Sequence, residues 1–139
     1  MREELLVALS KGNSGDMAER TIDITTIGRR SGQPRRIEIC FYRVGETTYL
    51  SGIPRTRPRD WLLNLAENPD FVFHFKHGVT ADVPAIASVV TDVGERRAVL
   101  ASIVDEFNAH HGPANNQPPA VLDEWVQYSP LARVSFLDA

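Results

Sequence analysis

Nothing in this chain restricts its fold more than the stretch Gly28-Arg-Arg-Ser-Gly-Gln-Pro34, a bend that joins two segments of strand character. Before it, Thr21 to Thr26 is dominated by β-branched residues. After it, Arg35 to Arg43 alternates, with Ile37, Ile39 and Phe41 on one face and Glu38, Cys40 and Tyr42 on the other. Gly28 and Gly32 are free to take positive φ, and Pro34 fixes its own φ while biasing Gln33 towards extended backbone. A tight hairpin follows. Arg29, Arg30, Arg35 and Arg36 crowd onto it, and guanidinium forks match the oxygens of phosphate or carboxylate. The bend is therefore either a solvated hairpin tip or an anion site.

The elements on either side extend the β reading. Val44-Gly-Glu46 is a hairpin turn into a strand at Thr47 to Ser51. The loop Gly52 to Arg59 adds Arg55, Arg57 and Arg59. Asp60 is placed to cap a short helix from Trp61 to Glu67, which ends at Asn68-Pro69 with Asn68 in the left-handed position. Two strands, Phe71 to Lys76 and Val79 to Val90, surround a His77-Gly78 turn, and Pro84 argues for an edge or a bulge in the second. Phe71, Phe73 and Phe75 share a face that suits a core or a dimer contact. Asp92 and Glu95 stand at capping-box spacing ahead of a helix to Asn108, with an apolar stripe of Val99, Leu100, Ile103, Val104 and Phe107. Short helices at Glu3 to Ser10 and Ala120 to Gln127 and a strand at Leu131 to Leu137 complete the chain. Short antiparallel strands with few helices predict a mainly β protein with flanking helices, a small barrel or strongly curved sheet. The 139 residues read as one domain, with a helix and linker over 1–19 and the barrel over 20–137.

Charge is unevenly spread. The net charge is −3, yet residues 20–60 carry nine basic and four acidic groups, and residues 61–139 carry four and ten. A basic middle in an acidic chain predicts one anionic ligand and argues against a nucleic-acid surface. No apolar run approaches the roughly 20 residues of a spanning helix, and the opening Met-Arg-Glu-Glu is no secretory leader, which predicts a cytoplasmic protein. Cys40 stands alone, so neither an internal disulfide nor a Cys-based zinc site is expected. His74 and His77 fall on opposite faces of a strand, a poor pair for a metal. His110 and His111 sit in a Pro-rich loop. No Ser-His-Asp or Cys-His order, Rossmann or Walker fingerprint stands out.

Taken together, Thr25-Thr-Ile-Gly-Arg-Arg-Ser-Gly-Gln-Pro-Arg35, Ser51, and Trp61-Leu-Leu-Asn-Leu-Ala-Glu-Asn-Pro69 resemble the deazaflavin-dependent nitroreductase family of actinobacteria. That resemblance implies a split β-barrel of flavin-reductase type which binds the deazaflavin coenzyme F-420. In its reduced form the coenzyme would pass hydride to quinones, nitroaromatics or other activated acceptors. Arg29, Arg30, Ser31, Gly32, Gln33, Pro34 and Arg35 match the segment that holds the coenzyme's phosphate and acidic tail. Ser51 and Gly52 match the edge of the ring site, Trp61 and Asn64 the short helix that lines it, and Arg55 and Arg57 belong to the clamp on the tail. Gly52-Ile-Pro54 departs from the Lys and paired Gly of many members, and Leu62 from a common Tyr. Trp125 and Tyr128 stand where members place tyrosines over the ring.

On this reading the reaction is mostly positioning, with hydride moving about 3 to 3.5 Å to an electrophilic carbon and a hydrogen-bond donor meeting the developing charge. Ser51 and Tyr128 are the candidate catalytic groups, and water is a further donor. The partners expected are a small-molecule hydride acceptor and no nucleic acid, with the chain a monomer or homodimer. The membrane is not spanned, and peripheral contact with its inner face is left open. Two other functions fit the same barrel. One is a non-catalytic binder of a fatty acid or similar amphiphile, with its carboxylate on the arginines. The other is an FMN-dependent oxidoreductase, less favoured by the resemblance.

Overall fold

The computed structural model describes residues 1–12, 16–110, 116 and 118–137. Six antiparallel strands close into a barrel in the order β1-β2-β3-β6-β5-β4. The strands are β1 Thr21–Ile27, β2 Pro34–Val44, β3 Thr47–Ser51, β4 Asp70–Phe75, β5 Ala81–Val89 and β6 Leu131–Phe136. Among the described residues five helices accompany them: α1 Glu3–Ser10, α2 Met17–Arg20, α3 Asp60–Glu67, α4 Val93–His110 and α5 Leu122–Tyr128. The expected barrel with flanking helices is what the alternating strands build.

Side chains fill the barrel. Ile22, Ile24, Phe41, Leu50, Phe71, Phe73, Phe75 and Val83 are all buried. Phe73 stands edge-on to Phe41 and to Phe136, with ring centroids 5.7 and 5.1 Å apart. The Phe71, Phe73 and Phe75 stripe is thus core, and each such side chain contributes about 1.5–3 kcal/mol by leaving water. Leu5 and Leu9 of α1 and Trp61 and Leu65 of α3 join the same cluster. A second core lies outside the barrel wall, where Tyr42 and Tyr49 pack under Val99, Leu100 and Ile103 of α4 and Trp125 of α5. This explains β2: Phe41 points in and Tyr42 out, and both are buried.

Local details differ from the sequence expectation. Asp60 does not cap α3; Arg59 occupies the cap position with no side-chain hydrogen bond, and Asp60 is the first helical residue, near Arg29. Asn68 is extended, not left-handed (φ −133°), because the chain runs straight into β4. The helix α2, too short to show a helical period, is fixed by a capping box between Asp16 and Glu19. At α4 only half of the expected box forms: Glu95 N–H donates to Asp92, while the Glu95 carboxylate turns to Arg133. Pro84 keeps the β4 ladder in register opposite Val72. Its carbonyl accepts from Leu137 N–H, so its missing N–H faces the place where β6 ends, a local edge and no bulge.

One feature of the ladder positions the site. β1 pairs with β2 along its whole length, from Thr21↔Cys40 to Ile27↔Pro34, but β3 first meets β2 at Phe41↔Leu50. Residues 34–40 of β2 therefore have no β3 partner. At about 3.3 Å per residue this free margin runs for roughly 20 Å. The β1–β2 hairpin overhangs the end of β3, and the 52–59 loop and α3 fill the angle below it.

Candidate active site

The hairpin tip is held by its own backbone. Gly28 N–H donates to Gln33 O and Gly32 N–H to Gly28 O, at 2.8 and 2.9 Å, and Gln33 N–H donates to Ser31 Oγ at 3.2 Å. Gly32 uses its freedom (φ +69°). Gly28 does not adopt positive φ; a Cβ there would meet Ser31 Oγ at 2.5 Å and displace it from the bond it accepts from Gln33 N–H. Asn64 of α3 ties the tip down: its Oδ1 accepts from Arg29 N–H and from the Arg29 guanidinium, and its Nδ2 donates to Thr26 Oγ1. Asn64 is buried; its bond to Thr26 lies away from water, and the two from Arg29 are half-buried.

The four arginines then part company. Arg29 lies against Asn64 with Asp60 3.4 Å away. Arg36 leaves the cluster altogether, because neighbours on a strand face opposite sides, and it pairs with Asp23 at 2.9 Å. Arg30 and Arg35 are exposed and make no ion pair among the described residues. Together with Gly28, Arg29 and Ser31 they line a cavity of about 430 Å³ that reaches Asp60 and Asn64. Gly32, Gln33 and Pro34 shape the turn without lining it.

Asp60 also borders the next cavity, about 380 Å³, which runs along the free margin of β2. Ile37, Ile39, Ser51, Gly52 and Trp61 line it, with Phe107 at the far wall. The walls are mainly apolar and flat, suited to a ring. Ser51 is buried, and its hydroxyl donates to Pro130 O at 2.7 Å; its proton is thus engaged in holding the β3–β6 end. Trp61 serves both the barrel core and this groove. Cys40 reaches the groove as a thiol, since burial pushes its pKa up.

Arg55 and Arg59 border this groove and a third cavity of about 330 Å³, which Arg57 and Tyr128 also line. Arg59 donates to Ile53 O at 2.6 Å; burial, then the nearby Arg55 charge, lowers its pKa. Tyr128 is exposed, and its oxygen accepts from Gln127 at 3.2 Å. The three cavities form a belt around the start of α3: bend, groove, loop. Ser51 and Tyr128 fall in different members of it. Trp125 is buried against α4 and lines none of the three.

Sequence reading missed three polar arrangements. Arg20 is fully buried, its guanidinium 5.3 Å from the Tyr42 ring centroid and paired with Glu106. Arg96 donates to the carbonyls of Val90, Trp125, Val126 and Ser129, and burial lowers its pKa. On the outer wall, Asp82, His74 and Thr25 form a chain of 2.7 Å contacts, an Asp-His-Thr order that register creates and no sequence motif announces. It lies on a strand face away from the belt and lines none of its three cavities. His77 is exposed, and His110 lies at the end of α4, 3.5 Å from Glu106. His111 and most of the 109–119 loop lie outside the described residues. No helix among the described residues is long and apolar enough to cross a membrane.

Comparison with known proteins adds a family. The model of F420H(2)-dependent quinone reductase matches residues 5–116. Among solved structures, a conserved hypothetical protein of Mycobacterium tuberculosis superposes with a TM-score of 0.66 at 18% identity, over 99% of this chain and 81% of that one. A Clostridium acetobutylicum protein related to general stress protein 26, of the pyridoxinephosphate oxidase family, gives 0.61 at 11% identity, over 98% and 86%. An F420-H2 dependent reductase (FDR-A) gives 0.52 at 13% identity, over 84% and 94%. These likenesses establish the barrel fold. No curated protein sequence matches the chain.

Proposed function

Because the chain belongs to the F420H(2)-dependent quinone reductase family and is thus an oxidoreductase that depends on coenzyme F-420, we propose that its acceptor is a quinone or a similarly activated small molecule, a nitroaromatic or an enone. Bound in its reduced form, the coenzyme supplies a hydride, and one further proton completes the reduction of a quinone to its hydroquinone.

The chain's residues suit this group. Arg30 and Arg35, free of ion pairs among the described residues and set on a turn whose Gly28 leaves no room for a Cβ, hold the phosphate and carboxylates of the tail. Arg29, steadied by Asn64, adds charge beside them. Gly32, Gln33 and Pro34 keep the tip in shape, and Arg55 continues the positive rim. The ring lies in the groove against Ile37, Ile39, Gly52 and Trp61. Ser51 acts by position, because its proton is given to Pro130 O. Tyr128 lines the neighbouring cavity and not the groove, but it retains a hydroxyl proton and is the one of the two still able to donate to charge growing on an acceptor oxygen.

The observation that carries this reading is the continuity of an ion-pair-poor arginine turn with an apolar groove along the unpaired margin of β2. A fluorescence titration with coenzyme F-420, run beside FMN at two salt concentrations, tests it. Tight, salt-sensitive binding of the deazaflavin in preference to FMN is expected. Failure of the deazaflavin to bind would sink the assignment of the bend and groove.

A further inference from the structure

The third cavity of the belt is built for an anion of its own. Arg55, Arg57, Arg59 and Arg96 line it, and no Asp or Glu among the described residues does. Arg55 and Arg57 make no ion pair among the described residues, and both are exposed. Arg59 and Arg96 spend donors on carbonyl oxygens, never on a carboxylate, so their charge is solvated by dipoles but not cancelled. A further observation is independent of the charges. Ser129, also in the lining and 3% exposed, has a buried hydroxyl with no hydrogen-bond partner. Buried hydroxyls ordinarily find partners; the residue that carries this one lines the cavity, beside the polar side chains of Thr91 and Tyr128.

The position of this cavity indicates its occupant. It lies across the groove from the bend, joined to the groove through Arg55 and Arg59. We infer that the hydride acceptor carries a carboxylate, and that Arg57 and Arg55 receive it in this cavity while the reactive carbon lies in the groove. This rests on the reading above, in which the bend takes the coenzyme's tail, and it gives Arg55 and Arg57, expected from the sequence on that tail, to the acceptor instead. The tail and the acceptor's acid then occupy opposite ends of the belt, and their like charges are held apart by the length of the groove.

A matched pair of probes tests it: a naphthoquinone with a propionate side chain and the same quinone with a propionamide, titrated calorimetrically with and without oxidised coenzyme. The acid is expected to bind at least roughly tenfold tighter than the amide, the scale of one charge-assisted hydrogen bond. Arg57→Ala should remove most of that preference, Arg57→Lys should keep part of it, and the ratio of kcat/KM for the two quinones should follow. Equal affinities for acid and amide overturn the inference. So does an acid preference that survives both Arg57→Ala and Arg55→Ala, or an acid that binds neither with nor without the coenzyme. The coenzyme titration is a separate arm: its failure would unseat the tail assignment, while the acid preference in coenzyme-free protein still reads out this cavity.

Discussion

Two charged regions of this barrel follow opposite rules. On the outer wall of β1, β2, β4 and β5, charges come in closed sets. Asp23 takes Arg36 and Lys76, Lys76 also takes Glu38, and His74 bridges Asp82 to Thr25. At the rim, Arg30, Arg35, Arg55 and Arg57 have no acid among the described residues, and only Arg29 has one, Asp60 at 3.4 Å. The wall satisfies itself, whereas the rim's positive charge is left largely without acids among the described residues. Composition alone hides this, because the two regions draw on the same stretch of sequence and Arg35 and Arg36 are adjacent.

The sharpest test of that contrast is Arg35→Ala. It should weaken coenzyme binding by about 1.5–3 kcal/mol, a charge-assisted hydrogen bond's worth, and leave the urea midpoint unchanged or slightly raised, since like charges are relieved. A large loss of stability would make the rim structural. Asn64→Ala should break the division itself, because Asn64 joins the tip to α3. It removes the acceptor of the half-buried Arg29 N–H and should cost about 0.5–1.5 kcal/mol in urea unfolding as well as weakening coenzyme affinity.

On the wall, Asp23→Asn should lower stability by roughly 0.5–1 kcal/mol without moving coenzyme affinity, read by the same two titrations. The pH dependence has a definite sign. Asp23 lies below its ordinary 3.8, chiefly through the hydrogen bond from Lys76, and Asp82 below the same value through that from His74. A carboxylate depressed on folding stabilises above its unfolded pKa, and that contribution is lost as pH falls through the folded value. Lys76 is raised above 10.5, chiefly by Asp23, so its share is present below that value and lost as pH rises through the raised one. The wall's contribution should therefore hold from about pH 4 to 10, and thermal midpoints should decline below pH 4 more steeply in the parent than in Asp23→Asn. The smallest effect belongs to Asp60→Asn: freeing Arg29 of an exposed partner should tighten coenzyme binding by a few tenths of a kcal/mol at most, with more effect at low salt.

The strands were legible because one face of each is buried, and burial writes a period of two into Ile37, Ile39 and Phe41 or Phe71, Phe73 and Phe75. The bend was legible because Gly28, Gly32 and Pro34 have few other uses. What escaped depends on contacts between distant residues. Arg20 sits at the head of a strand and reads as part of the basic middle, yet Glu106, 86 residues on, draws it into the interior. Arg96 looks like a helix-surface residue until its carbonyl partners around Ser129 are known. The Asp82, His74 and Thr25 chain needs the register of three strands, and the gap beside residues 34–40 needs the stagger between β1–β2 and β3. Ser51 could be placed near the groove, but nothing local shows that Pro130 holds its proton.

The phenylalanines that fill the barrel set how its ligands come and go. Phe41, Phe73 and Phe75 fill the interior among the described residues, and on the proposed reading coenzyme and acceptor lie at the rim of the barrel, each with one side wet. Neither needs the barrel to open for entry or escape. A reductase whose coenzyme must be exchanged for a freshly reduced molecule every cycle would gain from that: with the tail held as proposed, exchange depends on how firmly a few arginines grip, which salt and single substitutions can tune, and not on the much slower opening of a packed core.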